Sequence, residues 1–219
     1  NGLIISFDSN PSIHIREYYN YCLWLLIMNS DGDRNIIFGP HNDTFDNDNK
    51  TVKVDIQCEH TLVKDGGRGV KNKVFGSVLD NDGNKYLVRI DKYDYYNTLD
   101  MVIEYSNPNI KNIGDSNQFN EYVKKNRYIA PLIYDPEFVN FTKSDSITMF
   151  TSNNSARRDK FNGLGLTNNI EGCYTHDDLY NRYKSTRVMV NVHQTDHHHT
   201  FEELRVLPAL LNGVIVVSE

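Results

Sequence analysis

The closing stretch "VMVNVHQTDHHHTFEELRVLPALLNGVIVVSE" (188–219) decides how the chain is read. Its opening run "VMVNVH" (188–193) and its last apolar run "VIVVS" (214–218) are short, continuous and valine-rich. That is the pattern of strands buried on both faces of a parallel sheet. Between them Thr200 and Glu203 have the T-x-x-E spacing of a capping box, so a helix is expected from about Phe201. Phe201, Leu204, Leu207 and Leu211 then share one side at helical spacing, and Gly213 stands where a C-terminal cap belongs. Pro208 removes one helical hydrogen bond and should kink this helix. The stretch is therefore a strand–loop–helix–strand unit with a histidine-rich loop at the carboxyl end of its first strand. Ligands of open parallel sheets bind at that end, and a helix N-terminus adds N–H groups and a positive dipole suited to phosphate.

The same pattern recurs upstream. Apolar runs "LIISF" (3–7), "NIIFGP" (35–40), "VKVDI" (52–56), "MVIEYS" (101–106), "YIAPLI" (128–133) and "ITMFTS" (147–152) read as strands. Helical patterns cover 16–29, 116–126, 155–165 and 176–186. The alternation is that of an α/β fold. "KVFGSVLDNDGNKYLVRI" (73–90), with an Asn-Asp-Gly turn between two strand-like arms, reads as an antiparallel hairpin decorating the first half. The polar segment "YDPEFVNFTKSD" (134–145) is the best interdomain link. Two Rossmann-like parallel-sheet halves are expected, residues 1–140 and 141–219. The chain begins at Asn1 and stops just after "GVIVVS", so the second half reads as incomplete and the chain as a fragment.

Composition narrows the partners. The 219 residues are 39% hydrophobic and 11% aromatic, enough for a packed globular core. A net charge of −6 with no lysine/arginine block argues against nucleic acid or an anionic membrane surface. The most apolar run, "YCLWLLIM" (21–28), falls well short of the roughly 20 residues of a membrane span and lacks signal-peptide flanks. Cys22, Cys58 and Cys173 are odd in number and in no CxxC spacing, which fits neither a disulfide framework nor a cysteine zinc site. A reducing, cytoplasmic setting is expected.

Several residues carry candidate chemistry. His193, His197, His198 and His199 invite a metal, but three consecutive side chains diverge in any regular backbone and no H-E-x-x-H spacing is present. A loop that hydrogen-bonds phosphate or sugar hydroxyls is the better reading. Asp80-Asn81-Asp82 has the D-x-D spacing with which metal-dependent GT-A glycosyltransferases hold Mn²⁺ or Mg²⁺, yet the same letters spell a hairpin turn, which we favour. Glu59 and His60 follow a buried-type strand directly, beside the flexible "KDGGRG" (64–69), and either can act as a general base. His41 and Glu104 occupy similar strand-end positions and are weaker candidates.

Arg205, Ala209, Leu210, Gly213 and "VVSE" form a pattern, R-x-x-x-A-L-x-x-G-x-x-x-V-S-E, that resembles the donor-binding half of GT-B glycosyltransferases, in their exostosin-like, fucosyltransferase-like and CgeB-like branches. "FTSNNSARRDKF" (150–161) is similar to the strand–loop–helix that opens the donor domain of the fucosyltransferase-like branch. The resemblance implies a hexosyl- or deoxyhexosyltransferase that moves a sugar from a nucleotide-sugar donor to a hydroxyl of a glycan or glycoprotein acceptor, in a cleft that excludes water. It places Ser152, Asn153, Arg157, Arg158, His193, His197, Glu202, Glu203 and Arg205 around the donor, the arginines facing the diphosphate and the glutamates the ribose or sugar. Many retaining members carry two glutamates at positions occupied here by Thr200 and Pro208, which favours an inverting mechanism with His60 or Glu59 as base. No cofactor is implied; Mn²⁺ or Mg²⁺ belongs to the GT-A alternative. A further alternative is a non-catalytic carbohydrate- or nucleotide-binding module of a larger protein.

Overall fold

The computed structural model describes residues 4–7, 15–30, 35–39, 51–64, 74–79, 83, 85–133, 143, 146–150, 156–166, 175–193 and 201–218. Along the chain these form β1 (Ile4–Phe7), α1 (Arg16–Asn29), β2 (Asn35–Phe38), β3 (Thr51–Gln57), β4 (Leu62–Lys64), β5 (Val74–Leu79), β6 (Lys85–Arg89), α2 (Tyr93–Tyr96), β7 (Met101–Glu104), α3 (Asn107–Asp115), α4 (Asn120–Lys125), β8 (Asn126–Tyr128), β9 (Ser146–Phe150), α5 (Ala156–Gly163), α6 (His176–Ser185), β10 (Thr186–Asn191), α7 (Glu203–Leu211) and β11 (Ile215–Ser218). The chain divides into two compact units, residues 1–12 with 19–130 and residues 13–18 with 131–219.

In the first unit β1, β2, β3, β7 and β8 lie side by side in that order, each pair parallel. The expected α/β class with parallel sheets is therefore present. The order runs in one direction among the described strands, without the reversal that creates a switch-point crevice. β4, β6 and β5 form a separate antiparallel sheet, with Gly83 at φ +80° in the hairpin. This insertion is more than decoration. Leu62, Tyr86, Val88 and Ile90 from it share one core with Val102 of β7, Ile113 of α3 and Tyr122 of α4.

Two further differences have local causes. β8 ends at Tyr128 rather than running through 128–133; Ile129 N–H still donates to Glu104 O at 3.1 Å, and Pro131, which has no N–H, closes the pairing. β7 ends at Glu104 and Ser106, expected as the strand's last residue, caps a helix instead: its Oγ accepts the Asn109 N–H at 3.4 Å and Pro108 sits in the first turn, a favoured place for proline.

In the second unit β9, β10 and β11 are parallel with β10 central. Both crossovers step in the same direction, so right-handed connections put their helices on one face. Tyr180 and Tyr183 of α6, Met189 of β10, Ala209 of α7 and Val214 pack there, while Ile147, Ile215 and Val217 are exposed. Lys143 Nζ donates to Tyr183 O and Asn212 O at 2.7 Å each, placing a cation at the C-terminal ends of α6 and α7, where the helix dipoles favour one.

Helix α7 begins at Glu203, not at Phe201. Its N-cap is Glu202, in the left-handed region at φ 55°, ψ 54°, with no side-chain cap bond, and Thr200 lies outside the described residues. Glu203, Val206 and Ala209 face inward, whereas Phe201 is exposed. Its end is as expected. Gly213, at φ +76°, donates to Leu210 O and Val214 N–H to Ala209 O, the paired bonds of a Schellman cap. Pro208 lies inside the helix.

Candidate functional site

The carboxyl end of β10 and the first turn of α7 bring together three of the residues singled out from the sequence. His193 follows β10 by two residues and is buried; Glu202 is 4% exposed; Arg205 stands one turn along α7. Arg205 Nη1 donates to Glu202 Oε2 at 3.0 Å. The two partners are an N-cap residue and one three positions along the helix, close enough for an ion pair in the first turn. Burial pushes the Glu202 carboxyl above the ordinary carboxylate range; Arg205, His193 and a hydrogen bond from the Asn191 side chain pull in the opposite direction without cancelling it.

Asn191, fully buried, joins this cluster to the next strand, since its Nδ2 donates to Ser218 Oγ at 3.0 Å. It was not singled out from the sequence. The signal was there: a polar residue interrupting "VMVNVH" on an otherwise apolar central strand must find partners, because an unpaired amide costs about 1–3 kcal/mol once buried. The arrangement has one chemical capability. Arg205 keeps 24% of its side chain exposed, so a guanidinium oriented from behind by a buried carboxylate can still meet an anion at the sheet's carboxyl edge.

Glu203 sits in the first turn of α7 and is buried, an acidic residue where the helix dipole favours one. Arg157 and Arg158 lie on α5, whose backbone alone is described at those positions. Ser152, Asn153 and His197 lie outside the described residues, as do Asp80 and Asp82. Among the described residues no three His, Cys, Asp or Glu side chains gather as a metal site. No helix among them is long and apolar enough to cross a membrane.

Glu59, His60 and Glu104 lie at the carboxyl edge of the first unit's parallel sheet, and His41 lies outside the described residues. Glu59 and His60 lie on the turn from β3 to β4, as their position after a buried-type strand suggested. Glu59 is exposed, and its carboxylate lies 3.5 Å from Arg89 Nη2; Arg89 Nε also lies 2.7 Å from Asp91 Oδ1. His60 is half-buried on the same turn.

The turn is held by its own backbone clamp. Gln57 Nε2 donates to Glu59 O at 2.7 Å and Gln57 Oε1 accepts Glu59 N–H at 2.6 Å. Beneath it Glu104, the last residue of β7, is fully buried. Its Oε1 accepts from Asn109 Nδ2 at 3.0 Å and from the Ser106 N–H at 3.3 Å, and its Oε2 accepts a long bond from Gln57 Nε2 at 3.5 Å. Thr61 Oγ1 donates to Asn109 Oδ1 at 2.8 Å. Gln57 and Asn109 escaped the sequence reading, the second because no element was assigned to the segment that forms α3.

Comparisons of the chain with family models, with curated proteins and with solved structures found no match.

Proposed function

We propose that the chain is a GT-B-type glycosyltransferase, related to the exostosin-like, fucosyltransferase-like and CgeB-like branches that its closing motif resembles. It would move a hexose or deoxyhexose from a nucleotide-sugar donor to a hydroxyl of a glycan or glycoprotein acceptor, by an inverting mechanism and without a metal. The observation that carries the reading is the cluster of Asn191, His193, Glu202 and Arg205 at the carboxyl edge of a parallel sheet, beside the N-terminus of α7. Helix N-termini at such an edge favour phosphate, and arginine adds charge-assisted hydrogen bonds directed at developing negative charge.

In this scheme Arg205, with Arg157 or Arg158, neutralises the departing nucleoside diphosphate, and Ser152, Asn153, His193, His197 and Glu203 complete the donor site. Glu202 orients Arg205 rather than touching the sugar. His60, assisted by the neighbouring Glu59, takes the proton of the acceptor hydroxyl as it attacks the anomeric carbon and the bond to the diphosphate breaks. Transition-state stabilisation then comes from fixed charge and positioning.

A thermal-shift screen of nucleoside-diphosphate sugars, with and without Mn²⁺ and repeated on Arg205→Ala, tests this, since a ligand of the native state raises Tm by mass action. The expected result is a metal-independent rise that the variant abolishes. No rise with any donor, or an undiminished rise in Arg205→Ala, would overturn the donor site. A rise without transfer to any acceptor would replace the transferase with a binding module.

A further inference from the structure

We propose that Glu104 is a positioning residue: a buried carboxylate that fixes the turn carrying Glu59 and His60 by gripping both ends of it. This rests on the reading of that turn as the carrier of the base, but the grip itself is a property of the fold. The two residues bracketing the turn are Gln57 and Thr61, and each is tied to Glu104. Gln57 reaches it directly and Thr61 through Asn109. Glu104 is fully buried, so these bonds are not exchanged for water.

The polarity of the network makes the arrangement a one-way specification. Glu104 Oε1 is occupied by two donors, Ser106 N–H and Asn109 Nδ2, so Oε2 must face Gln57 as an acceptor. Gln57 therefore turns its NH₂ inward. That orientation leaves Oε1 for the Glu59 N–H and the second amide hydrogen for Glu59 O, closing the backbone clamp. Asn109 is likewise oriented, its NH₂ on Glu104 and its carbonyl on the Thr61 hydroxyl. A carboxylate, with acceptors only, sets both amides the right way round. An amide at position 104 would not: with its oxygen held by Ser106 and Asn109, its NH₂ would confront the NH₂ of Gln57. Flipping Gln57 to relieve that clash would aim a donor at the Glu59 N–H.

The test is site-resolved amide hydrogen exchange on the full chain for wild type, E104Q, Q57L and the charge-swapped Q57E/E104Q. In E104Q the Glu59 amide should exchange about tenfold faster, the effect of losing one net hydrogen bond at a locally opening turn, while β9–β11 stay unchanged. Q57L keeps the bulk and leaves the buried carboxylate in place, and should reproduce the acceleration. In Q57E/E104Q the amide NH₂ introduced at position 104 finds an acceptor again and the Glu59 N–H keeps one, so most of the protection should return. An unchanged Glu59 amide in E104Q, or no recovery in the double variant, would overturn the proposal; Q57L, which removes the clamp itself, sets the exchange rate of the unclamped turn, and if E104Q does not fold, a Glu59 amide in Q57E/E104Q as fast as in Q57L overturns it. With an active donor and acceptor in hand, E104Q should lower kcat at least tenfold with the donor KM unchanged. A chain that transfers from no donor but shows the exchange pattern keeps the positioning role and loses the transferase reading.

Discussion

Replacing Arg205 with alanine should destabilise the protein by an amount that grows with pH. The guanidinium lies 3.0 Å from the Glu202 carboxylate, with the two side chains 24% and 5% exposed. A charge-assisted hydrogen bond of this kind contributes about 1.5–3 kcal/mol, and stripping a buried ion of its partner costs about 3–5 kcal/mol when nothing else compensates. Here Asn191 and His193 remain beside the carboxyl, and the carboxyl has an escape, since it can bind a proton. Its folded-state pKa is already raised by burial, and Arg205 is the foremost influence holding it down. A raised carboxyl contributes stability that is complete below its unfolded-state pKa and lost as pH climbs through its folded-state pKa. Removing Arg205 lifts the folded value further, so the variant loses stability over a wider window than the wild type. The deficit should be about 1 kcal/mol near pH 4 and grow to about 2–3 kcal/mol at pH 8. Urea unfolding at several pH values, with unchanged m, measures it. Glu202→Gln/Arg205→Ala should recover most of the pH 8 deficit, because no charge is left buried. A deficit independent of pH, or a double variant no better than Arg205→Ala at pH 8, would refute the reasoning.

Thr148 and Thr186 are buried in the second unit's sheet with hydroxyls that make no hydrogen bond, so Thr148→Val and Thr186→Val should be neutral or stabilise by up to about 1 kcal/mol in urea unfolding. A loss beyond that would mean the hydroxyls have partners in solution. The Cys58 thiol is pushed from its ordinary 9.0 up to about 12, first by burial and then by Glu59 and Asp55. Alkylation of Cys58 at pH 8 should therefore be on the order of a thousandfold slower in the folded protein than in urea, and rise steeply above pH 9. The same shift stabilises the fold fully below pH 9 and is lost between pH 9 and about 12.

The parallel strands were legible because continuous apolar runs such as "VKVDI" and "VMVNVH" have few ways to be satisfied other than burial on both faces. The Schellman end of α7 was legible because Gly213 suits the left-handed backbone required there. What could not be read is decided by tertiary partners. Phe201 through Leu211 can be laid on a helical wheel in more than one register, and the capping-box spacing chose a start that Glu202 displaces by two residues. The hairpin's place in the core could not be seen in "KYLVRI", because alternation gives which face is apolar and not what covers it. Helix α3 was missed because "NPNIKNIGD" has few apolar residues and a proline, while its start is set by the Ser106 cap and Pro108 in the first turn. Gln57 and Asn109 acquire meaning only from Glu104, on a strand 47 residues from the first.

Among the described residues two that are not glycine have a left-handed backbone, Asn117 and Glu202. Asparagine tolerates that region, and Asn117 is exposed. Glutamate does not, and a non-glycine residue held there costs on the order of 1–3 kcal/mol. Glycine at position 202 would relieve the strain and equally well begin α7, so helix initiation alone does not account for a glutamate. Nor does stability favour it, because the carboxyl is buried and disfavours its own ionisation. What only a carboxylate at that position supplies is a fixed acceptor for Arg205, one turn along, beside Asn191 and His193 at the end of β10. A strained backbone, a buried carboxyl and an unusual cap therefore coincide at one residue, and each is costly to the fold. Their common product is a guanidinium held in one orientation with part of its surface exposed. Departures from local consistency concentrated in this way mark places where a fold maintains something other than its own stability.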